Sequence, residues 1–505
     1  MQRFVGILPI MLGIAAFVAM AAWPVQLGPS PPPGRVVVRV WSGWTGHEKE
    51  AFEKAVAAFN RSQNRIFLVN TSTEEDDTKI FRAITAGTPP DLFQVWSGEY
   101  VGALAANNAV MPFDPLLARD GPPRKEFIQG SLGLGEYEGR HYSMPYLIDA
   151  YALYWNKDVF RAAGFDPEKP PRTLEELQRM ALRLVKKRPD GTLERIGFEM
   201  PSLEILIVLF GGKFYDPVAH RILADDPRNV EALRWLARMI DAQGGAVRVD
   251  SFTAGFGEYA SPNHQFFVGK AAMMLSGQWW PSYVEKFAPH IDYGVCPLPY
   301  PSEHPELEGT TYIGGNFFCI PKESRHPKEA WQFLRWTQTP RAQELFSSVM
   351  HGVPNMLAVL GSPRLTTGSR HNRAFGVVCR IAANPNARWF PATPVNNLYI
   401  SELNTAVQLA ARNKKTPEQA LHDVRVRVQQ ELDRVLMVAP RQSAHASRFS
   451  RLEQPARPHD RVTLSASEGS HDGGILRGVH PEPKREILRF AQNDRGRRAQ
   501  KDIGE

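Results

Sequence analysis

From Val36 onward the apolar residues fall into two alternating rhythms. Val36-Val37-Val38-Arg39-Val40-Trp41 is a β-branched run that predicts a strand. Phe52, Ala55, Val56 and Phe59 then recur at i, i+3, i+4 and i+7, the stripe of an amphipathic helix. Ile66-Phe67-Leu68-Val69 predicts a second strand. Ile80, Phe81 and Ile84 mark a second helix, stopped by Gly87 with Pro89 and Pro90 beyond it. Asp91 to Trp96 reads as a third strand. Strand, helix, strand, helix, strand with short links implies a mainly parallel sheet covered on both faces. Ala152 to Trp155 adds a strand, and Thr173 with Glu176 makes a capping box that opens a helix. Helical pattern dominates from Leu174 to Ala242, and strands return at Ala272 to Leu275 and Tyr293 to Val295. One hydrophobic core stops growing near 250–300 residues, so this length of α/β pattern implies two lobes.

The two ends differ from this body. Phe4 to Trp23 is apolar and free of charge, and Ala19-Met20-Ala21 matches a small-x-small cleavage site. Residues 1–22 are therefore read as a signal peptide or an uncleaved N-terminal anchor, which in either case puts the remainder outside the cytoplasm. A Pro-rich spacer follows over residues 23–35. Residues 441–505 show scattered Arg, Ser, Gly and Pro without a period, and this composition predicts a disordered extension.

Charge and cysteine content narrow the function. The net charge is +7, but the segment from Arg441 alone holds 13 Lys and Arg against 9 Asp and Glu. The nearly balanced body does not suit a nucleic-acid binder. Three cysteines, Cys296, Cys319 and Cys379, form no C-x-x-C pair and no disulfide framework. No nucleophile elbow, H-E-x-x-H, Walker loop or EF-hand loop occurs, so the sequence suggests no catalytic residue, metal or cofactor. Glu74-Glu75-Asp76-Asp77 lacks calcium-loop spacing and suits a helix N-terminus. Gly133-Leu134-Gly135 with Gly139 reads as a glycine-rich hairpin or loop rather than a dinucleotide fingerprint.

What remains is a set of aromatic and polar clusters where strands end, the usual place for ligands on open α/β sheets. They contain Trp44 and Glu48; Trp96, Glu99 and Tyr100; Tyr146, Asp149 and Tyr151; Trp279 and Trp280; and Tyr312, Gly315 and Asn316. Aromatic faces suit the C–H faces of sugar rings, and carboxylates and amides suit their hydroxyls. Trp41, Trp155 and Trp331 are read as core. Trp44, Trp279 and Trp280 lie in Gly-flanked or polar junctions, where at least one should face a cleft.

Thr88-Pro89-Pro90-Asp91, Tyr154-Trp155-Asn156-Lys157-Asp158, Gly211-Gly212, Gly269-Lys270-Ala271-Ala272-Met273 with Ser276-Gly277, and Lys328 to Leu334 occur in an order that matters. Together they resemble the extracellular solute-binding proteins of carbohydrate ABC importers, in the maltose- and glycerol-phosphate-binding branch. The resemblance runs from Val36 to Val438. It implies the periplasmic-binding-protein type II fold, an α/β architecture of two lobes with a ligand cleft and three crossings. The implied first lobe is 36–148 plus 310–338 and the second 149–309 plus 339–440, with crossings near Ile148, Gly309 and Gln338. It also implies a monomer that presents a small-molecule carbohydrate to membrane permease subunits. By position, Trp279 matches the family's stacking aromatic, Glu99 a polar contact in the first lobe, and Tyr399 lies near another stacking position. The family's usual Thr-Trp-x-Glu helix start reads Thr173-Leu174-Glu175-Glu176 here, a departure in packing only.

Two other readings stay open on the sequence. The same fold could take a polyol phosphate, a polyamine or an iron complex, although a phosphate would want convergent Arg or Lys, which the clusters lack. An exported glycoside-acting enzyme could use two carboxylates such as Glu48 and Glu99.

Overall fold

The computed structural model describes residues 31–452 apart from 75–76, 97–99 and 258–260. The expected signal or anchor segment, Glu99 and the tail beyond Leu452 lie outside the described residues. The principal strands are β1 (Val36–Ser42), β2 (Ile66–Ser72), β3 (Leu92–Trp96), β4 (Met144–Asn156), β5 (Leu193–Glu199), β6 (Ala271–Gly277), β7 (Tyr293–Cys296) and β8 (Thr311–Cys319). The helices used below are α1 (Gly46–Ser62), α2 (Asp77–Thr85), α3 (Val101–Ala106), α4 (Leu174–Leu184), α5 (Leu203–Leu209), α6 (Pro227–Gln243), α7 (Trp280–Phe287), α8 (Pro327–Thr337), α9 (Pro340–Met350), α10 (Arg370–Ala382), α11 (Asn396–Ala411) and α12 (Pro417–Leu452). Among the described residues, no helix is long and apolar enough to cross a membrane.

Local chemistry sets the element ends. Gly87, at φ 70°, ends α2 in a left-handed turn that a Cβ would strain. Its N–H donates to Ile84 O at 3.1 Å and the Thr88 N–H to Ala83 O at 2.9 Å, the paired bonds of a Schellman stop. At α4, the Glu176 N–H donates to Thr173 Oγ1 at 3.2 Å, as the capping box predicts. The reciprocal bond moves one residue, because Glu176 Oε2 accepts from Arg172 N–H at 2.8 Å.

The sheet runs β2-β1-β3-β8-β4-β6-β5, with Lys186–Lys187 at its far edge, β7 on β4 and Ala387–Arg388 on β8. The β1 pairings with β2 and β3 are parallel, as expected. The centre is antiparallel: β8 against β3 and β4, and β6 against β4. The mainly parallel expectation therefore holds for the first strands and for the β6–β5 pair, and fails at the centre. β5 interrupts the stretch expected to be helical.

Three large clusters of buried residues divide the interior, with a small fourth one of Leu193, Ile196 and Ala271 between β5 and β6. Val38, Phe52, Leu147, Phe318, Phe333 and Phe346 belong to a first core between α1, α8 and α9. Leu153, Leu177, Leu206, Trp235, Tyr399 and Leu421 belong to a second, built on α4, α5, α6, α11 and α12. A third, with Val95, Ile148, Ala150, Tyr154, Trp280 and Phe375, runs without a break along β4. Two lobes thus share one sheet, and β4 and β8 pass from one to the other. α9 contributes Ala342 and Phe346 to the first core, so the chain stays with that lobe beyond Gln338. Gln338 is buried there and donates to Pro145 O at 2.8 Å. The helical backbone of α12 continues to Leu452, twelve residues into the segment whose composition predicted disorder.

Candidate ligand cleft between the lobes

Side chains alternate along a strand, so β4 offers two faces. On one face Ile148, Ala150, Ala152 and Tyr154 all lie in the third cluster. On the other, Leu147 belongs to the first core and Leu153 to the second. Asp149 and Tyr151 occupy the interval and are only half-buried. On that face the buried apolar run is broken at Asp149, while half-buried Tyr151 packs on the edge of the second core, so the interval is the candidate cleft floor.

β8 completes the floor. Gly314 pairs with Asp149 and Asn316 with Leu147. Gly314 places no side chain over the carboxylate, and even an added Cβ would stand 3.8 Å from Asp149 Oδ2. Tyr312, also half-buried, meets Tyr151 edge to face with centroids 5.6 Å apart. Trp279, at the end of β6, stands at 88° to Tyr151 with centroids 5.7 Å apart. These three rings form an aromatic corner on the second lobe.

Gln278 locks the acid in place. Its Nε2 donates to Asp149 Oδ1 at 2.7 Å and its Oε1 accepts from Ala150 N–H at 3.0 Å. Burial pushes the Asp149 carboxyl up to about 6, and the Gln278 hydrogen bond pulls the other way. On the first lobe, Trp44 meets Trp96 edge to face with centroids 4.4 Å apart, and its Nε1 donates to the Tyr146 hydroxyl at 3.0 Å. Burial, with smaller contributions from Asp149 and Glu48, raises the Tyr146 hydroxyl, and the Trp44 bond acts against it. Gln94 accepts from Gly43 N–H at 3.1 Å and donates to Asn316 Oδ1 at 3.1 Å.

The structure therefore brings together Trp44, Glu48, Asp149, Tyr151, Trp279 and Asn316 of the sequence candidates, whereas Tyr146 is fully buried behind them in the first core, stacked on Phe318 with centroids 4.4 Å apart. Gly315 lies on β8 where a Cβ would approach Leu147 O at 2.8 Å, so its role is close backbone passage. Three candidates lie elsewhere. Trp280 is fully buried, stacked on Phe267 with centroids 4.7 Å apart. Tyr399 is fully buried in the second core, and its hydroxyl donates to Phe214 O at 3.1 Å. Tyr100 packs on Phe81 in an apolar pocket bordered by Leu104 and Asn397. Trp155 and Trp331 are core, as expected, whereas Trp41 is partly buried. Sequence reading missed Gln94, whose signal was an amide in the middle of an apolar strand. Among the described residues, no group of His, Cys, Asp and Glu is placed to hold a metal.

Residues 44–344 match the family model described as bacterial extracellular solute-binding protein. The maltotriose-binding protein of Pyrococcus abyssi is 23% identical over 343 residues, covering 66% of this chain and 69% of the relative. The sn-glycerol-3-phosphate-binding periplasmic protein of Brucella abortus is 28% identical over 150 residues, 28% of this chain and 35% of its own. Among solved structures, CpMnBP1 with mannobiose bound superposes with a TM-score of 0.68 at 26% identity. That superposition covers 78% of this chain and all of the other.

Proposed function

The chain belongs to the family of bacterial extracellular solute-binding proteins, and from that premise we propose that it captures a mono- or oligosaccharide between its lobes. It then presents the sugar to the permease of an ABC importer. The observation that carries this reading is the interruption of the core at Asp149, beside half-buried Tyr151. There an aromatic corner faces a carboxylate and amides, the pairing a pyranose requires. Ligand contacts to both lobes supply the differential affinity that favours a closed state. The protein acts outside the cytoplasm, as a monomer and without chemistry on its ligand. Trp44, Glu48, Asp149, Tyr151, Trp279 and Asn316 line the site, with Tyr146 buried behind Trp44.

The relatives name different ligands: maltotriose, mannobiose and glycerol 3-phosphate. Asp149 favours the neutral sugars. A phosphate beside a carboxylate is repelled unless cations intervene, and the partners of Asp149 and Asn316 described above are uncharged. The test is a thermal-shift screen followed by calorimetry with mannobiose, maltotriose and glycerol 3-phosphate. A ligand specific to the folded state raises the melting point by mass action. Release of shortened products from the oligosaccharides would replace the binding reading by an enzymatic one.

A further inference from the structure

The space above Gly314 has two unlike walls. An ideal Cβ built on that glycine would stand 3.8 Å from Asp149 Oδ2 and 3.9 Å from Tyr312 Cε1. A carboxylate oxygen and a phenol ring therefore bound the same small volume at the centre of the cleft floor. Tyr151 lies two residues from Asp149 on the same face of β4, about 7 Å along the strand. Its ring meets Tyr312 and Trp279 edge to face. Aromatic surface thus continues from that volume along the second lobe.

The polar groups around this volume are rich in acceptors. Asp149 Oδ1 takes the Gln278 amide at 2.7 Å, and Oδ2 is the oxygen nearest to Gly314. Two amides close by are engaged at both ends. Gln278 binds Ala150 N–H and Asp149, and Gln94 binds Gly43 N–H and Asn316. No cation answers the carboxylate, since among the described residues Asp149 forms no ion pair. Burial raises its pKa to about 6, and what opposes that shift is a neutral amide. Glu48 adds negative charge, because its field reaches the Tyr146 hydroxyl together with that of Asp149. The cleft floor therefore holds an acid without its counter-charge.

We propose that this volume is an ammonium subsite and that the preferred ligand is an amino sugar, seated with its protonated amine between Asp149 Oδ2 and the Tyr312 ring. The proposal rests on sugar capture between the lobes and names the class of sugar. A hydroxyl both donates and accepts hydrogen bonds, whereas an ammonium only donates. It suits an acceptor-rich floor better, and its charge-assisted bond to a carboxylate is roughly twice as strong as a neutral one. An aromatic face attracts the same cation. Charge balance points the same way. When the lobes close, a neutral sugar leaves the carboxylate buried without a counter-charge, whereas an ammonium cancels it.

The test is calorimetry on the full chain near pH 7, where the carboxyl is ionised and a sugar amine is largely protonated. The probes are 2-amino-2-deoxy sugars of the gluco, manno and galacto configurations, with the β-1,4 disaccharide of glucosamine. Each is compared with its parent hydroxyl sugar and with its N-acetyl derivative. The expected result is that at least one amino sugar binds about 10-fold or more tightly than its parent. N-acetylation, which removes the charge, abolishes the gain. Asp149→Asn brings amine and parent to near parity. Gly314→Ala supplies a second variant: its methyl meets nothing closer than 3.8 Å, so the protein folds, and it fills the subsite and removes the preference. Equal affinity for amine and parent, an N-acetyl form that keeps the gain, or a preference that survives Asp149→Asn overturns the proposal. Binding of the neutral sugars would then still uphold sugar capture. Failure of every amino sugar together with mannobiose and maltotriose overturns both, so the two failures are distinct.

Discussion

Asp149 and Gln278 are joined across two strands, β4 and the end of β6, by a 2.7 Å hydrogen bond from amide to carboxylate. Because Gln278 also receives the Ala150 N–H, its amide cannot turn without losing a backbone bond. The carboxylate is thereby aimed across Gly314 into the cleft.

The first prediction is a pH dependence with two opposite signs. The folded-state pKa of about 6 lies above the ordinary aspartate value of 3.8. The folded protein therefore holds this proton more tightly, and the stability linked to it is full below about pH 4 and lost as pH rises through 6. Asp149→Asn should raise the stability near pH 7.5 by on the order of 1–2 kcal/mol, and the melting point with it. Sugar affinity runs the other way, since the ionised form is the stronger acceptor. Binding should weaken from pH 7.5 to 5 in the wild type and be pH-flat and roughly 10-fold weaker in Asp149→Asn. Calorimetry at three pH values checks both; a variant that binds normally removes Asp149 from the site.

The second prediction separates two adjacent tryptophans. Trp279 is half-buried against Tyr151, whereas Trp280 is enclosed by Phe266, Phe267 and His264. Trp280→Ala should cost about 3–5 kcal/mol of stability, the range for emptying a core site. Trp279→Ala should cost much less stability but weaken sugar binding by more than the ~0.5–1.5 kcal/mol of aromatic pairing alone. Denaturation and binding curves on the two variants decide it, and the reverse pattern would exchange their roles.

What the sequence made legible follows from how local each signal is. β1 is a β-branched run closed by Gly43, and β2 and β3 are short apolar runs, so their presence could be read directly. β8 could not, because Gly314, Gly315 and Asn316 interrupt the apolar run with the very residues that open the cleft. β5 carries Glu194, Arg195 and Glu199, charges that blurred a strand inside a helical stretch. The pair Trp279-Trp280 looks uniform in sequence, and only the start of α7 at Trp280 turns that ring inward. Tyr399 came from positional resemblance, which fixes a place on a helix but not which way its ring points. The break in the core at Asp149 depends on how two lobes meet, and no local pattern encodes that.

The third prediction concerns the tail. Leu432 is the last fully buried residue of α12 among those whose burial is described, with Val435 and Leu436 packed on the second core. A chain ending at Val438 keeps every one of these contacts. It should melt within about a degree of the full chain and bind the same sugar, because a segment contributes stability through burial of its own surface. A loss of several degrees would assign the tail a packing role.

The last prediction uses Gly314 to separate folding from binding. This glycine pairs with Asp149 at the centre of the floor, and an ideal Cβ meets nothing closer than 3.8 Å. That is ordinary van der Waals contact, and β8 is extended there, so a β-branched residue suits the backbone. Gly314→Val should therefore fold with unchanged or slightly higher stability. Its two methyl groups would project over the Asp149 carboxylate, beside Tyr312 and Tyr151, where a sugar ring would lie. Desolvating the carboxylate without offering it a donor should raise its pKa further, and ligand affinity should fall by at least about 100-fold, the loss of a charged hydrogen bond together with steric exclusion. Calorimetry for affinity and thermal melts for stability give the two readouts on one sample. Unimpaired binding in a folded Gly314→Val protein would place the ligand away from this floor and remove the main support for a site between the lobes.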